Sequence, residues 1–419
     1  MRGLAAMVTV AGLGIGLAAC SSTSSASGDD GPVTITYGFW AEEFRPAFQQ
    51  AADEFHKENP NVTVKLKLTP FADYFTKLNT EISSKTAPDA FWLQNIHIGL
   101  YAKNGALADL TTLRKDSKVD LSGIPDSVMK PYTIGGKLYA MPWQALPFGL
   151  YYNKTLFKAA GVAEPTNDWT WDDVATAAAK LTNKSAGIYG IAAPVWNYGT
   201  FYQSMYSYGA DIITDKGKGT DIDSPAAQRG LKVWTDLVQK GYSPSVAQTT
   251  DTPADSWFSS GKTAMITSGP WTATSYSAAL GKGNLGLVAM PKGSVDRSGM
   301  ATTTTAIAAA GKHIADAYRF AEFLSGDTGQ KILSKSGVAG GPVNKNANQA
   351  WIDAIPGVGI ENILPEIATA KLLPSSNATS VWEDQEVTVF TPAYNGTASV
   401  ADVTKQMAKV IEDSLAKEK

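Results

Sequence analysis

The chain of 419 residues is 44% hydrophobic and 18% charged, and its 36 Lys and Arg against 39 Asp and Glu leave a net charge of −3. That length and apolar content support two or more domains with a sizeable core, and the near-neutral balance excludes a nucleic-acid binder held by phosphate contacts, which needs a basic face. A single cysteine rules out an internal disulfide, and the three histidines, His56, His97 and His313, are too few and too scattered for a Cys/His zinc site, so neither a metal nor a cofactor is expected.

Arg2 is the only charged side chain before Asp29, and the apolar run 4–17 behind it is too short to span a bilayer. Residues 1–19 therefore read as a secretory signal, an address rather than part of the fold. The segment ends in Leu17-Ala18-Ala19-Cys20, small residues before the only cysteine, which resembles the lipobox of bacterial lipoproteins and makes Cys20 the expected lipidated N-terminus. Residues 21–28, SSTSSASG, lack charge and large apolar side chains, so 20–31 is expected to be a flexible tether at a membrane surface.

From residue 33 the pattern is β-rich over 33–37 and then helical over 42–58, where Phe44, Phe48, Ala51, Ala52 and Phe55 share a face and Asn59-Pro60 stops the helix. A second strand over 62–68 completes a βαβ unit, and a helix over 74–84 and a run over 89–93 extend it into a parallel or mixed sheet. The 135–140 segment reads as a turn into a strand, 143–147 as a bend or crossover, and 149–152 as another strand. Thr170 with Asp173 has capping-box spacing ahead of a helix to Leu181, and the acids Asp172 and Asp173 suit a first helical turn. A helix over 225–240, strands over 263–267, 285–289 and 306–310, and helices over 314–324, 327–335 and from 400 to the C-terminus follow.

No phosphate loop, dinucleotide fingerprint, HExxH or GxSxG is present, so no catalytic residue is assigned. Glu42, Glu43, Glu383 and Asp384 stand beside aromatic residues, and the spacing does not decide between paired catalytic carboxylates and acceptors for ligand hydroxyls. Tryptophan carries more information. Of 11 in the chain, Trp40, Trp92, Trp143, Trp196 and Trp271 fall where β-runs give way to loops, which in open α/β sheets is where ligands bind. An indole plate flanked by amides suits a sugar ring, with its C–H face and hydroxyl rim, and Gln94, Asn95, Gln144 and Asn197 stand near these rings.

Six ordered stretches carry a resemblance: PDAFWLQ at 88–94, GGKLYAMPWQALPFGLYYNKTLFKAAG at 135–161, DWTWDDVATAAAKL at 168–181, FSSGKTAMITSGPW at 258–271, GLVAMPKG at 286–293 and AYRFAEFLSGDTGQKIL at 317–333. With them the mature chain resembles the extracellular solute-binding proteins of carbohydrate ABC transporters, the family that includes maltose-binding protein. The resemblance implies an α/β, two-lobe periplasmic-binding-protein fold (type II-like) with a ligand cleft between the lobes and hinge crossings near 142–148, 290–300 and 338–344. It implies one lobe from 32–144 plus 297–340 and the other from 145–296 plus 341–419. It places Trp92, Trp271 and Trp382 as ring-stacking residues, Trp196 and Asn197 where the family offers a carboxylate and an aromatic, and Trp40, Glu42 and Glu43 in the first-strand loop. Asn95 and Leu146 stand where maltose-binding protein has acids, so a ligand other than maltose is expected.

The implied function is a non-catalytic, monomeric carbohydrate receptor, anchored through Cys20 on the extracellular face of a Gram-positive membrane. It would deliver its ligand to a permease whose ATPase is a separate chain. Trp40, Trp92, Trp196, Trp271 and Trp382 are its candidate rings, and Glu42, Glu43, Gln94, Asn95, Gln144 and Asn197 its candidate hydrogen-bonding groups. Two rivals stay open: a secreted glycoside hydrolase or lyase using Glu42 or Glu383, and the same fold binding a polyol, a peptide or glycerol phosphate, the last needing a cation such as Arg45, Lys137 or Arg297.

Overall fold

A computed structural model describes residues 31–214, 219–337, 340–377 and 379–418, so the expected signal segment, Cys20 and most of the tether lie outside the described residues, as do 338 and 339 of one expected crossing. The strands in chain order are β1 (Val33–Phe39), β2 (Val62–Leu68), β3 (Ala90–Gln94), β4 (Thr133–Ile134), β5 (Lys137–Leu138), β6 (Ala140–Pro147), β7 (Gly149–Asn153), β8 (Met265–Ser268), β9 (Leu285–Ala289), β10 (Gly299–Ile307), β11 (Gly341–Pro342) and β12 (Lys371–Leu372).

The first sheet has the order β11-β6-β10-β3-β1-β2, with β12 paired to β10. β1 runs parallel to β2 and β3, as the βαβ pattern predicts, while β10 is antiparallel to both β3 and β6. Helix α1 (Arg45–Glu58) returns the chain from β1 to β2 and buries Phe48, Ala51, Ala52 and Phe55 on the sheet. It starts three residues later than expected, because Glu42–Phe44 forms a 3-10 turn ahead of Pro46. Helices α2 (Phe71–Ser83) and α3 (Asn95–Lys103) follow β2 and β3. A second, antiparallel sheet has the order β8-β7-β9 and carries its own buried clusters. The Thr170 capping box is present, with Thr170 and Asp173 bonding each other's backbone N–H.

Two segments differ from the sequence reading. The 143–147 segment is strand, not a bend: β6 runs through to Pro147 with all eight residues buried. Its irregularity is a bulge, since Thr303 faces Gln144 while Thr304 faces Pro142, leaving Trp143 as the extra residue next to a proline that has no N–H to pair. β10 begins at Gly299, inside a stretch expected to be a crossing, and not at residue 306. Thr302, Thr303, Thr304 and Thr305 on it are at most 1% exposed. Their polar side chains hide the strand from a hydrophobicity pattern, yet the hydroxyls are satisfied inside: Thr302 on Tyr132, Thr304 on the Leu93 carbonyl at 2.8 Å and Thr305 on Tyr37 at 2.8 Å.

Only Phe148 separates β6 in the first sheet from β7 in the second, and it is fully buried. The first sheet extends past residue 144 and takes in Gly341–Pro342 and Lys371–Leu372 from late in the chain.

Candidate functional site

The passage from β6 to β7 organises the candidate residues. Phe148 is met edge-on by Trp271, with ring centroids 5.6 Å apart at 90°, and by Trp196, at 6.0 Å and 65°. Each tryptophan lies back over a glycine of its own segment: a methyl on Gly269 would lie 1.8 Å from the Trp271 ring, and one on Gly199 would lie 1.9 Å from the Trp196 ring. Both rings therefore depend on the absence of a Cβ. Trp271 follows β8 and is 38% exposed, Trp196 is half-buried, and the two indoles with Phe148 make an aromatic wall on the second sheet's side of the crossing.

Behind Trp196 lies a polar cluster. Asn197 donates from Nδ2 to Glu383 Oε1 and to Glu386 Oε2, each at 2.9 Å, and its Oδ1 accepts from the Tyr198 N–H at 2.8 Å. Tyr202 donates to the other oxygen of Glu386. The two acids sit on the helix Thr379–Tyr394, which the sequence pattern left unassigned, and Glu386 is 1% exposed. Burial pushes the Glu383 carboxyl up to about 7, against bonds from Tyr198 and Asn197 that lower it, and the charge of Asp384 adds to the rise. Burial, and then the neighbouring Glu383, hold Glu386 well above the usual carboxylate range. Asn197 is thus committed to these carboxyls and holds the two together.

This pair makes stability depend on pH. A carboxyl whose pKa is raised by folding contributes fully below the unfolded value and loses that contribution as pH rises through the folded value, here between 4.5 and about 7 for Glu383. The wild-type chain is expected to lose of the order of 2 kcal/mol between pH 5 and pH 8 through this group, and Glu383→Gln to remove most of that slope in urea melts at the two pH values. Equal slopes in mutant and wild type would show that Glu383 ionises freely.

On the first sheet, Trp40 follows β1 and is half-buried, with Glu42 and Glu43 exposed beyond it. Glu42 bonds Arg45 at 2.7 Å, and this pairing holds the Glu42 carboxyl below its usual range. Gln94 closes β3 and is half-buried. Gln144 is 4% exposed, and its Nε2 is buried with no partner among the described residues, close to Gly340, where a methyl would lie 2.9 Å away. An orphaned buried amide N–H costs roughly 1–3 kcal/mol, which a ligand oxygen reaching it would recover.

Three other expected site residues are packed into the interior. Trp92 is 1% exposed, sits among Phe44, Phe48 and Trp143 at ring distances of 4.7–5.3 Å, and spends its Nε1–H on Tyr37 at 3.0 Å. It is a core residue of the first sheet. Trp382 is fully buried in the second core with Nε1 on Ser376 Oγ at 3.1 Å, so it offers no open ring face. Asn95 accepts from the Thr302 N–H at 3.2 Å and donates to the Leu373 carbonyl at 3.3 Å, which ties α3 to β10 and to the segment after β12. The sequence reading missed Phe148 and the positioning glycines; the signals were the W-x-x-G of 196–199 and the G-P-W of 269–271.

Residues 41–331 match the family described as bacterial extracellular solute-binding protein. The chain is 25% identical over 384 residues to a putative binding protein of Brucella abortus, covering 89% of this chain and 90% of that one. It is 28% identical over 292 residues to the maltodextrin-binding protein MdxE of Bacillus subtilis, covering 68% and 67%. Its structure superposes with a TM-score of 0.83 and 28% identity on an ABC substrate-binding protein of Listeria monocytogenes solved in complex with cycloalternan, over 91% of this chain and 99% of that one. The α/β expectation holds with them, and the chain belongs to the bacterial extracellular solute-binding protein family and has its two-lobe fold.

Proposed function

We propose that the chain is a carbohydrate receptor of an ABC importer, with one lobe built on the seven-stranded sheet, the other on the three-stranded sheet, and the ligand held between them. The observation that carries this reading is the aromatic wall of Trp271, Phe148 and Trp196 at the crossing between the two sheets, with Glu383 held by Asn197 next to Trp196. An exposed indole beside hydrogen-bonding groups matches the apolar face and hydroxyl rim of a pyranose. Relatives named for maltodextrin and diacetylchitobiose, and a structural neighbour holding cycloalternan, support the same ligand class. Trp40, Glu42, Glu43 and Gln94 would supply the first lobe's side of the site.

The lipobox at Cys20 and the Ser-rich tether support anchoring on the outer face of a Gram-positive membrane, and no helix among the described residues is long and apolar enough to cross one. The receptor would act as a monomer and hand its ligand to permease subunits driven by a separate ATPase.

A hydrolase reading fares less well on geometry. Glu383 and Glu386 are bonded to the same Asn197 nitrogen and so lie on one side of the site, whereas a glycosidase needs carboxyls on opposite sides of the scissile bond. Tryptophan fluorescence of the chain from residue 32 onward, titrated with mono-, di- and oligosaccharides whose integrity is checked afterwards, tests both. A saturable change with intact sugar is expected; cleaved sugar would establish an enzyme, and no response to any sugar would overturn the carbohydrate reading.

A further inference from the structure

We propose that Phe71, braced by Trp40 and Phe75 at the carboxyl ends of β1 and β2, is a second pyranose subsite, and that the ligand is an oligosaccharide long enough to reach it. This inference rests on the carbohydrate reading above and adds ligand length to it. Among the described residues, the Phe and Trp side chains that are exposed are Trp271, at 38%, and Phe71, at 54%. The first belongs to the aromatic wall. The second is on the other sheet, in the first turn of α2, directly after the loop that leaves β2.

Phe71 is held from the core outward. The Trp40 ring stands edge-on to buried Trp92 at 4.8 Å and 88° and to buried Tyr74 at 5.1 Å and 78°, and the Tyr74 hydroxyl bonds the Trp92 carbonyl at 2.9 Å. Phe71 then meets Trp40 at 5.7 Å and 67°, and Phe75 at 5.9 Å and 84°. These edge-to-face contacts fix the orientation of the ring while leaving more than half of it in water, so binding would order little that is not already ordered.

An ion pair supplies polar groups just past the strand that leads to this plate. Glu42 and Arg45 pair at 2.7 Å shortly after Trp40, with the Glu42 side chain 61% exposed. An apolar plate whose bracing tryptophan is followed at once by a carboxylate and a guanidinium complements a sugar ring, whose C–H face stacks while its hydroxyls find both acceptors and donors. Carboxyl ends of parallel strands are also where α/β sheets bind ligands, and β1 and β2 are parallel throughout their register.

The test is calorimetry on the chain from residue 32 onward with malto-, cello- and chito-oligosaccharides of one to six rings, comparing wild type, Phe71→Ala and Phe71→Trp. In the series that binds, wild-type affinity is expected to rise with length beyond the shortest binder. Phe71→Ala should lose about 10-fold on the longest members and less than about 2-fold on the shortest, and Phe71→Trp should restore the gain. Wild-type affinity independent of length, or an equal loss at every length, would overturn the subsite. So would unchanged binding by Phe71→Ala at all lengths, and if cellular uptake fell in that variant the patch would belong to the permease contact instead. Absence of binding in all three series, while the monosaccharides and polyols of the titration panel also fail, would remove the carbohydrate reading itself, a result distinct from any effect of Phe71.

Discussion

Trp271→Ala is expected to weaken carbohydrate binding by roughly 70-fold while moving the unfolding midpoint by less than about 2 °C. Covering one indole face removes roughly 100 Å² of apolar surface from water, which at about 25 cal/mol/Å² is ~2.5 kcal/mol, and that converts to the stated factor in Kd. The fold has little to lose, because the side chain is 38% exposed and meets Phe148 only at its edge. Gly269→Ala is the companion variant. It keeps the indole but puts a methyl 1.8 Å from where the ring lies, so the ring must swing away and binding should fall by a similar factor. Calorimetry and thermal melts on both variants check this. Undiminished affinity in a folded Trp271→Ala protein would take the residue out of the site, and unchanged affinity in Gly269→Ala would show that the ring's resting place is immaterial.

What the sequence made legible follows from which forces leave a local signature. The βαβ start was readable because α1 carries its apolar residues at helical spacing and β1 and β2 are rich in β-branched residues. β10 was readable only at its end, because its centre is a run of threonines whose burial depends on hydroxyl partners from Tyr37, Tyr132 and the Leu93 carbonyl, all distant in sequence. The same holds for the site. A tryptophan at a strand end is visible in sequence, but whether its ring faces solvent or core is decided by neighbours that the chain brings in from elsewhere. Trp271 and Trp92 both read in sequence as closing a β-run, yet Trp92 lies at the centre of β3 and Trp271 beyond β8, and they differ entirely in burial. Asn95 and Asn197 had the right chemistry for a ligand, yet their amides bond partners 186 to 278 residues away. Phe148, between Pro147 and Gly149 and just past a stretch that reads as a bend, gave no sign of being the hub of the aromatic wall.

Trp92→Ala tests that distinction from the opposite direction. It is expected to destabilise the chain by about 3–5 kcal/mol, the range for deleting a buried large aromatic, while the molecules that remain folded keep most of their affinity. The loss has two physical sources. A cavity opens among Phe44, Phe48 and Trp143, whose rings approach Trp92 within 4.7–5.3 Å, and Tyr37, itself fully buried, loses the Nε1–H donor at 3.0 Å. Tyr37 keeps its bond to Thr305 at 2.8 Å, so the polar part of the penalty should be the smaller one, and Trp92→Phe should recover more than half of the lost stability. Urea melts of the three proteins give the stability series, and calorimetry at low temperature, corrected for the folded fraction, gives the affinities. Trp40 rests edge-on against Trp92 at 4.8 Å, so a modest weakening confined to the longest oligosaccharides would still fit a ring that acts by bracing the platform. A Trp92→Ala protein that stays as stable as wild type but no longer binds the shortest sugar would mean that the indole turns toward the ligand after all, and the core assignment would fall.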